Sequence, residues 1–150
     1  MPVPEDFGVD DSDLIEVVVP NDLRAVKHPE QLILTQLGCC RYSDESVFAI
    51  KLALEEALTN GVKHGNCSDP TKHLTVRFCV KPDRAVIMIR DEGSGFCPDA
   101  VPDPTAEENL QRPNGRGIML MNAYMTRVHY NSRGNEVWLM KENRPSARGA

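Results

Sequence analysis

Glu56-Ala57-Leu58-Thr59-Asn60-Gly61-Val62-Lys63-His64-Gly65 closes a segment that opens on a cap, Ser43-Asp44-Glu45-Ser46. Between them Phe48, Ile50, Leu52, Leu54, Leu58 and Val62 follow an extended helical pattern, which predicts a helix from Val47 to His64. On that helix Glu56, Asn60 and His64 recur every fourth residue and share one face, so their polar side chains meet one site. Magnesium keeps few protein ligands beside phosphate oxygens and water, so one asparagine carbonyl from a helix suits a Mg-ATP complex, and Asn60 is the candidate ligand. Glu56, one turn away, is placed to accept a proton from a hydroxyl or water attacking a γ-phosphate. Taken alone, the pattern describes the solvated face of an amphipathic helix better than a site. Glu55 lies around the helix from Glu56 and reads as exposed or supporting.

Downstream, Asn66 to Pro70 reads as a loop, and Leu74–Val80 and Ala85–Arg90 read as an antiparallel hairpin turning at Pro82-Asp83. At the end of the second strand stands Asp91-Glu92-Gly93-Ser94-Gly95-Phe96. A carboxylate there can accept a hydrogen bond from the exocyclic amine of adenine, and glycines let backbone approach a flat base. A tight acidic turn fits the same residues equally well. A third motif, Asn114-Gly115-Arg116-Gly117-Ile118-Met119-Leu120-Met121, ends a long loop and opens a helix, whose free N–H groups form a ready phosphate site with Arg116 as an added charge. It also reads as a plain helix cap. It lacks the spacing of a Walker A loop, and Leu120 stands where a Rossmann fingerprint would need its third glycine.

Upstream, Leu14–Val19 is a strand ending at Pro20, and Leu23–Leu37 is a helix that Pro29 must kink or open, with Gly38 as its stop. The prolines of residues 97–114 mark a loop, Gly117–Met125 is helix-like, and Val128–Tyr130 with Glu136–Met140 form a last hairpin. Residues 1–13 are an acidic tail and 143–150 a frayed one, leaving one domain with its core at about 14–141.

Composition narrows the function. A formal charge of -5 argues against a nucleic-acid groove, which needs a basic stripe. No apolar run approaches the roughly 20 residues of a membrane span, and the start lacks the basic and apolar regions of a signal peptide, so the cytoplasm is the expected location. The odd set Cys39, Cys40, Cys67, Cys79 and Cys97 reads as reduced thiols.

In order and spacing the three motifs resemble the N, G1 and G2 boxes of the Bergerat ATP-binding fold, separated by a hairpin and a proline-rich lid at residues 97–114. The resemblance spans Leu14 to Lys141 and implies an α+β fold, a two-layer sandwich of a mixed, mostly antiparallel sheet with helices on one face. Within that superfamily of histidine-kinase-like (GHKL) ATPases, the E-A-L-T-N form and the G-R-G-I-M-L-M helix look like the anti-sigma-factor serine kinases. That likeness implies ATP and Mg2+ as cofactors, Glu56 as base, Asn60 as metal ligand and Asp91 as adenine reader. It further implies Gly93, Gly95, Gly115 and Gly117 as nucleotide-contacting backbone, with His64 and Arg116 as further contacts. The implied activity is phosphorylation of a serine on an anti-anti-sigma (STAS-type) partner, alternating with sequestration of a sigma factor, in a homodimer. Two departures stand out: Cys97 follows Gly-x-Gly-Phe where relatives often carry Asp, and Pro29-Glu30 lies near where anti-sigma factors present a basic sigma-contacting residue. A regulatory ATP-binding module without kinase activity is the alternative.

Overall fold

In the computed structural model, which describes residues 2–93 and 124–143, five strands form one sheet with two helices packed on one face. The strands are β1 (Ile15–Pro20), β2 (His73–Val80), β3 (Arg84–Asp91), β4 (Arg127–Tyr130) and β5 (Glu136–Glu142), in the order β1-β2-β3-β5-β4. Every pairing among the described residues is antiparallel. The expected α+β sandwich and both expected hairpins are therefore present. The lid at 97–114, most of the predicted helix 117–125 and residues 144–150 lie outside the described residues. No described helix is long and apolar enough to cross a membrane.

Strand β3 is central, and its run Ala85-Val86-Ile87-Met88-Ile89 is buried throughout because both faces of the sheet are covered. Ala85, Ile87 and Ile89 point to the helices, where they meet Val76, Phe78 and Leu139 from neighbouring strands and Ile50, Leu54 and Leu58 from the helix above. Val86 and Met88 point the other way, onto Trp138, Met140 and Phe7.

Phe7 belongs to the segment read from sequence as an acidic tail. In the structure this segment folds as two short 3-10 turns, Glu5–Phe7 and Asp11–Asp13, across the helix-free face of the sheet. Phe7 meets the edge of Trp138 with ring centroids 6.4 Å apart, and Val3, Val9 and Leu14 pack around them. Its acids are not merely solvated. Asp13 reaches Lys81 at 3.1 Å, Asp6 reaches Arg127 at 3.3 Å and Asp11 reaches Arg77 at 3.6 Å. These pairs are largely exposed and worth little individually, so the apolar contacts carry the attachment.

Helix α1 runs from Lys27 to Cys39 rather than from Leu23. Asp22 makes a turn whose side chain accepts from the Arg24 amide at 2.7 Å, and Pro29 then falls in the first helical turn, where no N–H is needed. The helix passes Gly38 and stops in a Schellman motif: the Tyr42 amide donates to the Leu37 carbonyl at 3.1 Å and the Arg41 amide to Gly38 at 3.2 Å. Arg41 occupies the left-handed position at φ 59°. Helix α2 runs from Asp44 to Asn60, capped by Ser43, whose Oγ accepts from the Ser46 amide at 3.1 Å. It then widens into a π-helical turn at Gly61–Gly65.

Candidate active site

The π-helical turn after α2 packs closely on the end of β3, with the Asp91 carboxylate against Gly65 and the Gly65 carbonyl against Gly93. A Cβ on Gly65 would lie 2.0 Å from Asp91 Oδ2, and one on Gly93 would lie 1.9 Å from the Gly65 carbonyl oxygen. Only glycine fits at either position, which gives the glycines of two separate motifs one shared physical reason.

Asp91 is 9% exposed at the last position of β3. Its Oδ1 accepts from the Gly93 amide at 2.8 Å, and its own amide donates to the Asn135 carbonyl at 2.9 Å. Among the described residues Oδ2 accepts no hydrogen bond. Burial pushes the Asp91 carboxyl up to about 6, with the Gly93 amide and Lys72 pulling in the opposite direction. A desolvated carboxylate with one oxygen held and the other open is a strong acceptor for an amine that arrives with a ligand.

Around this turn stands a set of amides that the sequence did not single out. Asn66, read as loop, is fully buried. Its Oδ1 accepts from the Glu92 amide at 2.8 Å, while its Nδ2 donates to Asn21 Oδ1 at 3.0 Å and to the His73 carbonyl at 2.9 Å. Asn21, read as a turn or cap, donates through Nδ2 to the Asp69 carbonyl at 2.9 Å. From the β4–β5 turn Asn135 adds an Nδ2 contact to the Gly93 carbonyl at 3.4 Å. Nothing local predicts these partners, since Asn21 and Asn66 are far apart in sequence and their apolar neighbours carry no period that includes them.

Glu56 and Asn60 are half-buried on α2, one turn apart as expected. His64 is exposed and lies in the π-helical turn that follows Asn60. Glu55 is half-buried against α1, where it faces Glu30, itself 6% exposed. Burial raises the Glu30 carboxyl, Lys27 at 3.9 Å counters it, and Glu55 raises it further by its charge and a hydrogen bond. Gly95, Gly115, Arg116 and Gly117 lie outside the described residues.

Among the described residues no three His, Cys, Asp or Glu side chains gather where they could hold a metal by themselves. Asn60, the expected ligand, stands on α2 with a single amide oxygen to offer, as suits an ion that takes most of its ligands from phosphate and water. Cys39, Cys40 and Cys79 are free thiols, whereas Cys67 is disulfide-bonded, which corrects the reading of all five as reduced.

Serine-protein kinase RsbW of Oceanobacillus iheyensis is 27% identical over 107 residues, covering 67% of this chain and 68% of that protein. Serine-protein kinase RsbW of Bacillus subtilis is 30% identical over 95 residues, 58% of each chain. Anti-sigma F factor of Oceanobacillus iheyensis is 30% identical over 99 residues, 62% of this chain and 67% of that protein. A family model described as histidine kinase-like ATPase domain matches residues 19–141, from the end of β1 into β5, and the chain is a member of that family.

Proposed function

We propose that this protein is an ATP-dependent protein serine kinase of the anti-sigma type, acting in the cytoplasm on an anti-anti-sigma (STAS-type) partner and sequestering a sigma factor in alternation. The observation that carries the reading is the meeting of the Glu56–Gly65 stretch with the Asp91–Gly93 turn, where Gly65 makes room for the Asp91 carboxylate, Gly93 makes room for the Gly65 carbonyl, and Asp91 Oδ2 accepts no hydrogen bond among the described residues. Resemblance to proteins named serine-protein kinase supports the class of reaction.

In this reading Asp91 Oδ2 accepts from the exocyclic amine of adenine, while the Gly93 amide keeps Oδ1 occupied. Asn60 offers its side-chain oxygen to Mg2+, which, when bound with the phosphates, neutralises their charge. Glu56 takes the proton of the partner's serine hydroxyl as its oxygen bonds to the γ-phosphorus and the bond to the bridging oxygen of ADP breaks. The hydroxyl proton ends on Glu56, and ADP leaves with the electron pair. Such a transfer rests mainly on positioning and charge neutralisation.

The test is Glu56→Gln. Nucleotide affinity measured by calorimetry should stay within about twofold, because glutamine keeps the size of the side chain and the adenine contact is assigned to Asp91, while transfer to a purified partner should fall by on the order of a hundredfold or more. Undiminished transfer would remove Glu56 from the role of base.

A further inference from the structure

The buried amide pair Asn21–Asn66 has no part in the proposed chemistry, yet it touches the turn on which that chemistry depends. Asn66 is the only side chain among the described residues to hold the Glu92 amide, the N–H between Asp91 and Gly93. The next amide along, that of Gly93, is taken by Asp91 Oδ1. Two consecutive N–H groups are thus both engaged, and the carboxylate cannot swing away without breaking one of them. Gly65 and Gly93 contribute no side chain that could wedge the turn, so its position has to come from elsewhere.

Asn66 is suited to that duty because its amide is fixed in one orientation. Nδ2 is committed to Asn21 Oδ1 and the His73 carbonyl, which points Oδ1 at Glu92 and forbids the flipped amide. Asn21 is locked in turn, since its Nδ2 donates to the Asp69 carbonyl at 2.9 Å and lies 3.4 Å from that of Val62. The chain of amides runs from the end of β1, through the π-helical turn that follows α2 and the start of β2, to the end of β3.

We infer that Asn66, oriented by Asn21, is a positioning residue for base selection: it holds the Asp91–Gly93 turn where the Asp91 carboxylate can meet an exocyclic purine amine. The inference rests on the reading of Asp91 as the adenine acceptor. Loss of Asn66 does not remove that acceptor. It lets the turn shift by a fraction of an ångström, enough to weaken a directional hydrogen bond while the phosphates remain bound.

The experiment compares ADP with IDP, which carries a carbonyl oxygen in place of the exocyclic amine, on the full chain by calorimetry. The wild type should prefer ADP by roughly tenfold or more, since a site built to accept a hydrogen bond rejects a ligand that lacks the donor. Asn66→Ala should bring that preference to within about threefold, as expected when one directional hydrogen bond is misaligned. A merely structural role would lower the folded fraction and scale both affinities alike, leaving the ratio unchanged. Asn21→Ala, which removes the acceptor orienting the Asn66 amide but leaves Asn66 in place, carries the same test where Asn66→Ala does not fold. An unchanged ratio in a folded variant, with the wild type selective, overturns the inference and leaves the reading of Asp91 standing. A wild type that binds both nucleotides equally overturns that reading and the inference with it.

Discussion

Asp91→Asn should make the nucleotide-free protein more stable while abolishing its preference for adenine. Burial raises the Asp91 carboxyl from its ordinary 3.8 to about 6. At about 1.4 kcal/mol per pH unit, ionised Asp91 therefore opposes folding by about 3 kcal/mol. The sign follows from proton counting. Between those two values the folded state holds a proton that the unfolded chain has released, so stability falls as pH rises through the window and stays reduced above it. Asparagine keeps the shape and an oxygen for the Gly93 amide but never ionises. Its new N–H2 must find an acceptor beside Gly65, which offsets part of the gain, so the net stabilisation near neutral pH should be about 1–3 kcal/mol. Urea unfolding of both proteins at about pH 8 and about pH 4.5 measures it, and the difference between them should grow towards the higher pH. An equal difference at both pH values, or a mutant that loses stability relative to wild type as pH rises, would refute the claim that the carboxylate is held against its own desolvation. The same variant should bind ADP no better than IDP, since its amide offers a donor where the amine needs an acceptor.

Other outcomes follow from single residues. Arg41→Gly should raise stability by about 1 kcal/mol, seen as a higher midpoint in thermal unfolding, because Arg41 sits at φ 59° in a Schellman position that glycine adopts without strain. Phe7→Ala should lower the urea-unfolding free energy by about 3 kcal/mol, since Phe7 is 1% exposed against Trp138, whereas a solvated tail would make the change neutral. Gly65→Ala should eliminate nucleotide binding in calorimetry while circular dichroism still reports the sheet, because its methyl group would strike the Asp91 carboxylate and displace the turn; retained affinity would show that the two backbones need not touch.

The architecture was largely legible because it rests on local pattern. The uninterrupted Ala85–Ile89 run marks a strand, the Ser43 cap and the stripe behind it mark α2, and Pro82-Asp83 marks the hairpin. Element ends were less legible. Pro29 announced a disturbance in α1 without saying that the helix would begin two residues before it, and Gly38 was passed over because the left-handed position fell on Arg41. The acidic first residues hid their packing role, since Phe7 and Val9 are too few to carry a period and their partner Trp138 lies at the far end of the chain.

By itself, the sequence determined the chemical vocabulary of this protein: a carboxylate and an amide one helical turn apart, an aspartate closing an apolar strand, and glycines after each. Residue type and short-range spacing depend on covalent order alone, so they can be read from it. Only the tertiary structure decided that Gly65 lies against Asp91, that α2 gives way to a π-helical turn before His64, and that Asn21 and Asn66 hold the Glu92 amide from the other side. Those relations join segments whose contact is set by how the sheet and helices pack, and a buried polar group is satisfied by whatever that packing brings within reach.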